Sequence, residues 1–174
     1  MSTDLDLSKL SLMDALDLAI LIEEEARQRY ELFASLIGRT ATGYNAGAFF
    51  ASMAENEAKH GTELLERRMA RFGKVPMKVK MMDIYDIEAP DSGAPRKGMS
   101  TLQAFELGLQ SEKKAHDFFN SALPGISDPE VKELFAELRD EETEHVEMLR
   151  EARAKLPPSA SVETENDPDD APYL

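Results

Sequence analysis

One short pattern, a glutamate followed three residues later by a histidine, occurs twice in this chain, at Glu57-Ala58-Lys59-His60 and at Glu142-Thr143-Glu144-His145. On a helix that spacing puts carboxylate and imidazole on one face, about a turn apart, which is a grip for a metal ion. A single copy in a glutamate-rich helix means little. Here both copies fall on the stripe where apolar residues belong, and each is preceded by a helix with a further carboxylate, Glu23 or Glu112, on its own apolar stripe. A charge on a helix seam is costly unless something compensates it. The fold therefore has to bring these six groups together or to a common partner.

The seams are long. Between residues 11 and 37 the stripe runs Leu12, Leu16, Ala19, Glu23, Ala26, Tyr30, Phe33, Ile37, in alternating steps of four and three, the period of a helical bundle. A break over residues 38–43, rich in Gly, Thr and Ala, turns the chain back into a second helix over 44–72, with Phe49, Met53, Glu57, His60 and Leu64 inward. Glu23 lies about 15 residues before this turn and the Glu57/His60 pair about 15 after it, so at about 1.5 Å per residue they come level.

Residues 73–100 contain Pro76, Pro90, Pro95, Gly93 and Gly98 and are read as a crossover. Extended, about 28 residues reach roughly 90 Å, against about 42 Å for a helix of that length. The segment can therefore run the full length of a bundle and start a third helix parallel to the second. Met77, Met81 and Met82 are expected to pack the crossover against the helices. The third helix, over 101–123, opens on a Ser/Thr cap and carries Leu102, Phe105, Leu109, Glu112, then Ala115 or His116, then Phe119. The fourth starts at Ser127 or Asp128 with Pro129 and runs to 155, presenting Val131, Leu134, Phe135, Leu138, Glu142, His145, Leu149 and Ala152. In this half the levels differ by roughly 6 Å, which predicts a third helix or loop that is longer in space than these boundaries.

The expected fold is all-α: a four-helix bundle over residues 1–155 with one long crossover between helices 2 and 3, followed by an acidic tail over 156–174 that is disordered or loosely draped. A docking role for Ala171-Pro172-Tyr173-Leu174 is a minor alternative for that tail. The chain has no cysteine, which removes disulfides, thiolate metal sites and thiol nucleophiles. Its 34 acidic and 20 basic residues give a net charge of −14, against nucleic-acid or anionic-membrane partners. Asp4, Asp6, Asp14 and Asp17 interrupt any signal peptide, and no apolar run approaches the roughly 18 residues that span a bilayer. A cytoplasmic location is the expectation.

The two halves repeat: Glu23, Tyr30 and Glu57-x-x-His60 correspond to Glu112, Phe119 and Glu142-x-x-His145. Folded together they place four carboxylates and two imidazoles at a pseudosymmetric centre. That donor set suits two iron or manganese ions rather than a closed structural zinc site, and four negative charges neutralise two divalent cations.

The segments Glu23-Glu24-Glu25-Ala26-Arg27-Gln28-Arg29-Tyr30 and Ala54-Glu55-Asn56-Glu57-Ala58-Lys59-His60 closely resemble the first two helices of rubrerythrins, in the ferritin-like superfamily, and the resemblance extends over about residues 11–155. It implies a ferritin-like four-helix bundle in which Glu23, Glu57, His60, Glu112, Glu142 and His145 are di-iron ligands. It also implies oxygen or hydrogen peroxide as the oxidant reacting there. Tyr30 would then be a hydrogen-bond partner of the centre and His116 a candidate neighbour. Two departures bear on the chemistry. Rubrerythrins usually carry a rubredoxin domain with four iron-binding cysteines, whereas this chain has none, and the family's extra carboxylate three residues after the third-helix glutamate is Ala115. The expected activity is a di-iron oxidoreductase, peroxidase or ferroxidase, acting on Fe(II), with a separate electron donor if a peroxidase, and a homodimer. Two readings compete: an iron-binding or storage protein, and a metal-free helical interaction module, the last requiring six coincidences on the seams.

Overall fold

Each helix begins where a side chain can satisfy its orphan N–H groups, and the boundaries follow from that chemistry. In the computed structural model, which describes residues 7–37, 45–80, 87 and 95–163, α1 spans Leu12–Ile37, α2 Ala46–Phe72, α3 Thr101–Ala122 and α4 Pro129–Ala154. The Asn45 side chain accepts from the Ala48 N–H at 3.0 Å. Ser100 and Gln103 form a reciprocal capping box, 3.1 Å from Gln103 N–H to Ser100 Oγ and 2.9 Å from Ser100 N–H to Gln103 Oε1. Asp128 caps α4 ahead of Pro129, whose missing N–H costs nothing at that position. Gly73 ends α2 with φ +63°, a conformation that suits glycine.

The described chain is an all-α four-helix bundle. It is two helical hairpins, α1 against α2 and α3 against α4, with α1 also meeting α4. The crossover contributes buried Val79, Ile87 and Met99 to the core. Met77, expected to pack against the bundle, lines a groove beside Ile20, Leu21 and Leu65 but stays largely exposed; Met81 and Met82 lie outside the described residues.

The predicted mismatch of levels in the second hairpin has a physical resolution. After Ala122 the chain continues in a 3-10 turn, Leu123–Gly125, whose rise of about 2 Å per residue extends α3 by about 6 Å. Glu112 then stands about 21 Å from the turn, and the Glu142/His145 level about 22 Å from the start of α4.

Two apolar cores lie above and below a polar layer. One gathers Leu16, Ile22, Leu64, Phe119, Phe135 and Leu138 with the crossover residues Val79 and Ile87. The other is aromatic, built on Tyr30, Phe33, Phe50 and Phe105 with Met53 and Leu149, the Phe50 and Phe105 centroids 4.7 Å apart. The first core also contains an ion pair absent from the sequence reading: the Arg68 guanidinium bonds to the Asp17 carboxylate, both buried, and to the Val75 carbonyl at 2.8 Å, tying the end of α2 and the start of the crossover to α1.

The segment after α4 departs from expectation over its first part. Residues 158–161 form a 3-10 turn with Ala160 buried, and Glu163 accepts from Arg96 at 2.5 Å and Gln103 at 2.7 Å. Burial of Ala160 and polar contacts to Arg96 of the crossover and Gln103 of α3 offset the cost of ordering these few residues. Residues 164–174, including Ala171–Leu174, lie outside the described residues.

Candidate metal centre

The polar layer between the two cores is where the seam carboxylates meet. Glu23 comes from α1, Glu57 and His60 from α2, Glu112 from α3, and Glu142 and His145 from α4; all but His60 are buried. His145 is the hub. Its Nδ1 lies 3.3 Å from Glu57 Oε1, 3.3 Å from Glu112 Oε2 and 3.7 Å from Glu142 Oε2. His60 Nδ1 lies 3.9 Å from Glu23 Oε2. The two imidazoles stack face to face, centroids 5.4 Å apart and planes 12° from parallel.

Tyr30, two turns from Glu23, is fully buried and donates its hydroxyl to Glu112 Oε1. Room for that contact comes from Gly108, one turn before Glu112. A Cβ there would stand 3.3 Å from Leu149 Cδ2 and 3.7 Å from the Tyr30 ring, so a larger residue would require the Leu149 side chain to give by a few tenths of an ångström. His116 does not join the centre: its Nδ1 sits 3.1 Å from Asp117 Oδ1 on the outer side of α3. Ala115, not His116, takes the inward position: Ala115 is fully buried while the His116 side chain is partly exposed.

The electrostatics differ across the layer. Burial alone would lower the His145 imidazole, but its bond to Glu112 and the charges of Glu112, Glu23 and Glu141 outweigh that and hold it above the ordinary histidine value. His60 is lowered, first by burial and then by the neighbouring His145. Burial would raise Glu112, yet the contacts with His145, Glu142 and Tyr30 hold it well below the usual carboxylate range.

The fit to a metal follows from the donors. Carboxylates converging in a dry layer repel one another and remain desolvated unless cations sit among them. Three groups have ligand atoms that all lie within 4.8 Å of one another: Glu57, His60 and His145; Glu112, Glu142 and His145; and Glu23, His60 and Glu141. His60 Nδ1 is buried yet has no hydrogen-bond partner, as a nitrogen reserved for a metal would. The donors are oxygen and imidazole nitrogen alone, the set for iron or manganese. Two of the groups share His145 and two share His60. Glu141 is the member that the repeat of motifs did not reveal. Its signal in the sequence was only its place four residues before His145, one turn away on the same helix face.

Fold and centre together define a ferritin-like bundle with a carboxylate and histidine metal layer. The family model described as Rubrerythrin matches residues 14–155, and the chain belongs to the rubrerythrin family. Among solved structures, the chain is similar to an uncharacterised conserved protein from Magnetospirillum magnetotacticum MS-1. The two share 27% identity over 85% of this chain and 97% of that one, with a TM-score of 0.69. It also shares the fold of a dodecameric thioferritin, the bacterioferritin-related protein from Bacteroides fragilis, at 19% identity over 86% of this chain and 87% of that one, with a TM-score of 0.59. No curated protein matches. Among the described residues no helix is long and apolar enough to cross a membrane.

Proposed function

We propose that the protein is a rubrerythrin-type di-iron oxidoreductase that couples oxidation of Fe(II) to reduction of hydrogen peroxide or oxygen. The observation that carries this reading is the convergence on His145 of three carboxylates from three helices, with Glu23 and His60 facing the same layer. Two ferrous ions held by these residues would supply the two electrons that, with two protons, take hydrogen peroxide to two waters.

The chain's own residues set the conditions. Glu57, which lies in a group with both imidazoles, would help hold the iron together with Glu112 and Glu142 of the α3/α4 hairpin and with Glu23 and His60 of its own. The Tyr30 hydroxyl fixes Glu112 in orientation, and the aromatic core behind it excludes water. A groove of about 470 Å³ between α1 and α2 reaches Glu57 and is the access route for a small oxidant or a ferrous ion. The exposed Leu65 and Met69, one turn apart on α2, with Met77 beside the groove, offer the apolar surface for a homodimer. A cytoplasmic location suits a protein that works on Fe(II).

With no cysteine in the chain, electrons for repeated peroxide turnover have to come from a separate donor, whereas in iron oxidation the substrate itself supplies them. Ala115 tilts the reading the same way, because it contributes no carboxylate to follow an ion of rising charge. Ferroxidase turnover is therefore the simpler steady activity. Sequestration of iron with incidental turnover is the competing reading, favoured by the same absence of a cysteine relay.

The test is single-turnover oxidation of the diferrous protein by oxygen and by peroxide, alongside Glu57→Ala and Glu142→Ala. Rapid oxidation in the parent and its loss in both variants is expected. Variants that react as fast as the parent would place the chemistry elsewhere, and tight iron binding with slow oxidation by either oxidant would leave sequestration standing.

A further inference from the structure

Glu141 belongs to none of the repeated motifs. Its counterpart in the first half, the residue before Glu57, is Asn56, so a symmetric count of four glutamates and two histidines leaves it out. In space it stands with Glu23 and His60, and one ligand atom from each lies within 4.8 Å of the other two. Donors at about 2.1 Å on opposite sides of one ion are about 4 Å apart, so small rotations of these side chains close the triad on a single cation. We infer that Glu141 is a metal ligand, holding with Glu23 and His60 the ion on the α1/α2 side of the centre. The inference rests on the di-metal reading above and adds a ligand to it.

Three observations support it. On α4, His145 lies three residues after Glu142 and four after Glu141, so the imidazole stands between two carboxylates, one directed to Glu112 and the other to His60. Secondly, the ligand groups that geometry places with Glu141 are another carboxylate, Glu23, and the His60 imidazole. Among the described residues no lysine or arginine forms an ion pair with it. A half-buried carboxylate facing other carboxylates is costly until a cation joins them. Thirdly, the positions three residues after Glu23 and Glu112 are Ala26 and Ala115. Neither α1 nor α3 supplies an additional oxygen donor by that route, and Glu141 brings one from α4. With five carboxylates the centre carries −1 around two divalent ions and +1 around two trivalent ions, where four would leave 0 and +2. The added ligand therefore favours the higher oxidation state.

Cobalt(II), which binds the same donors and reports its coordination number through its visible absorption, tests this without any turnover. Metal-free protein is titrated with cobalt, comparing the parent with Glu141→Gln and with Glu147→Gln, an exposed glutamate on the same helix as control. The parent and Glu147→Gln are expected to bind two ions per chain. Glu141→Gln should keep one at parental affinity, bind the other at least about tenfold more weakly, and change the absorption of that ion alone. Two ions at parental affinity with an unchanged spectrum in Glu141→Gln would overturn the role of Glu141 while leaving the di-metal reading intact. No cobalt bound by the parent would overturn both.

Discussion

The two helical hairpins contribute the same motif and receive different environments. His145, from α4, has a side chain 5% exposed with three carboxylates within 3.7 Å, and its imidazole is held toward the charged form. His60, from α2, is 20% exposed, has one carboxylate at 3.9 Å and no hydrogen bond on Nδ1, and is held toward the neutral form. A sequence repeat therefore does not give its two histidines equal surroundings. The α3/α4 side is roofed by Tyr30 and the aromatic core, whereas the α1/α2 side lies next to the groove that reaches Glu57.

The largest difference is expected in the metal-free protein. His145→Ala leaves Glu57, Glu112 and Glu142 buried without their shared cationic partner and should cost about 3–5 kcal/mol. His60→Ala, at the edge, should cost about 1 kcal/mol. Urea unfolding of the two variants after chelation measures both, and equal losses would break the comparison.

Metal loading should raise stability next. At a free concentration 100 times the dissociation constant, one bound ion adds about 2.7 kcal/mol, or about 5–11 °C in melting temperature for a chain of this size. A single chelation step that removes one ion before the other, seen as two increments in the melting curve, would sharpen the contrast between the sides. Superimposable curves with and without chelator would argue for a bundle that holds no metal.

Tyr30→Phe should act on the α3/α4 side alone. Loss of a buried hydrogen bond to a carboxylate is expected to cost about 1.5 kcal/mol, and the effect should vanish in a Glu112→Gln background if the two groups act as a pair. Additive losses in that double-mutant cycle would separate them.

The smallest effect is on pH dependence, and here the two histidines have opposite signs. The His145 value is raised on folding, so its contribution to the metal-free protein is complete below about pH 6.5. It is lost as pH rises through the folded value. The His60 value is lowered, so its contribution is present above about pH 6.5 and lost as pH falls through the folded value. In stability profiles of the chelated protein, His145→Gln should flatten the alkaline fall and His60→Gln the acid one; a swap of these assignments would reverse the comparison.

The seam positions made most of this legible in advance. A carboxylate on a four-three apolar stripe is an anomaly that propensity cannot explain, so Glu23, Glu57, Glu112 and Glu142 stood out in the one-dimensional pattern. The level of each along its helix followed from the rise per residue. The buried Asp17–Arg68 pair did not stand out, because its members lie 51 residues apart and neither sits at a repeated spacing. His116 was ambiguous, since residues 115 and 116 both continue a helical stripe, and only the rotation of α3 against its neighbours turned Ala115 inward and His116 toward Asp117.

By itself the sequence determined the all-α class, the four helices, the crossover and the six inward groups, because periodicity, capping and breaker residues act over a few positions of one chain. Tertiary structure alone decided the inequality of the two histidines and the arrival of Glu141 beside Glu23 and His60. Those depend on the depth and rotation at which α4 meets α2. Packing of every side chain in both cores sets that geometry at once, and no local spacing encodes it.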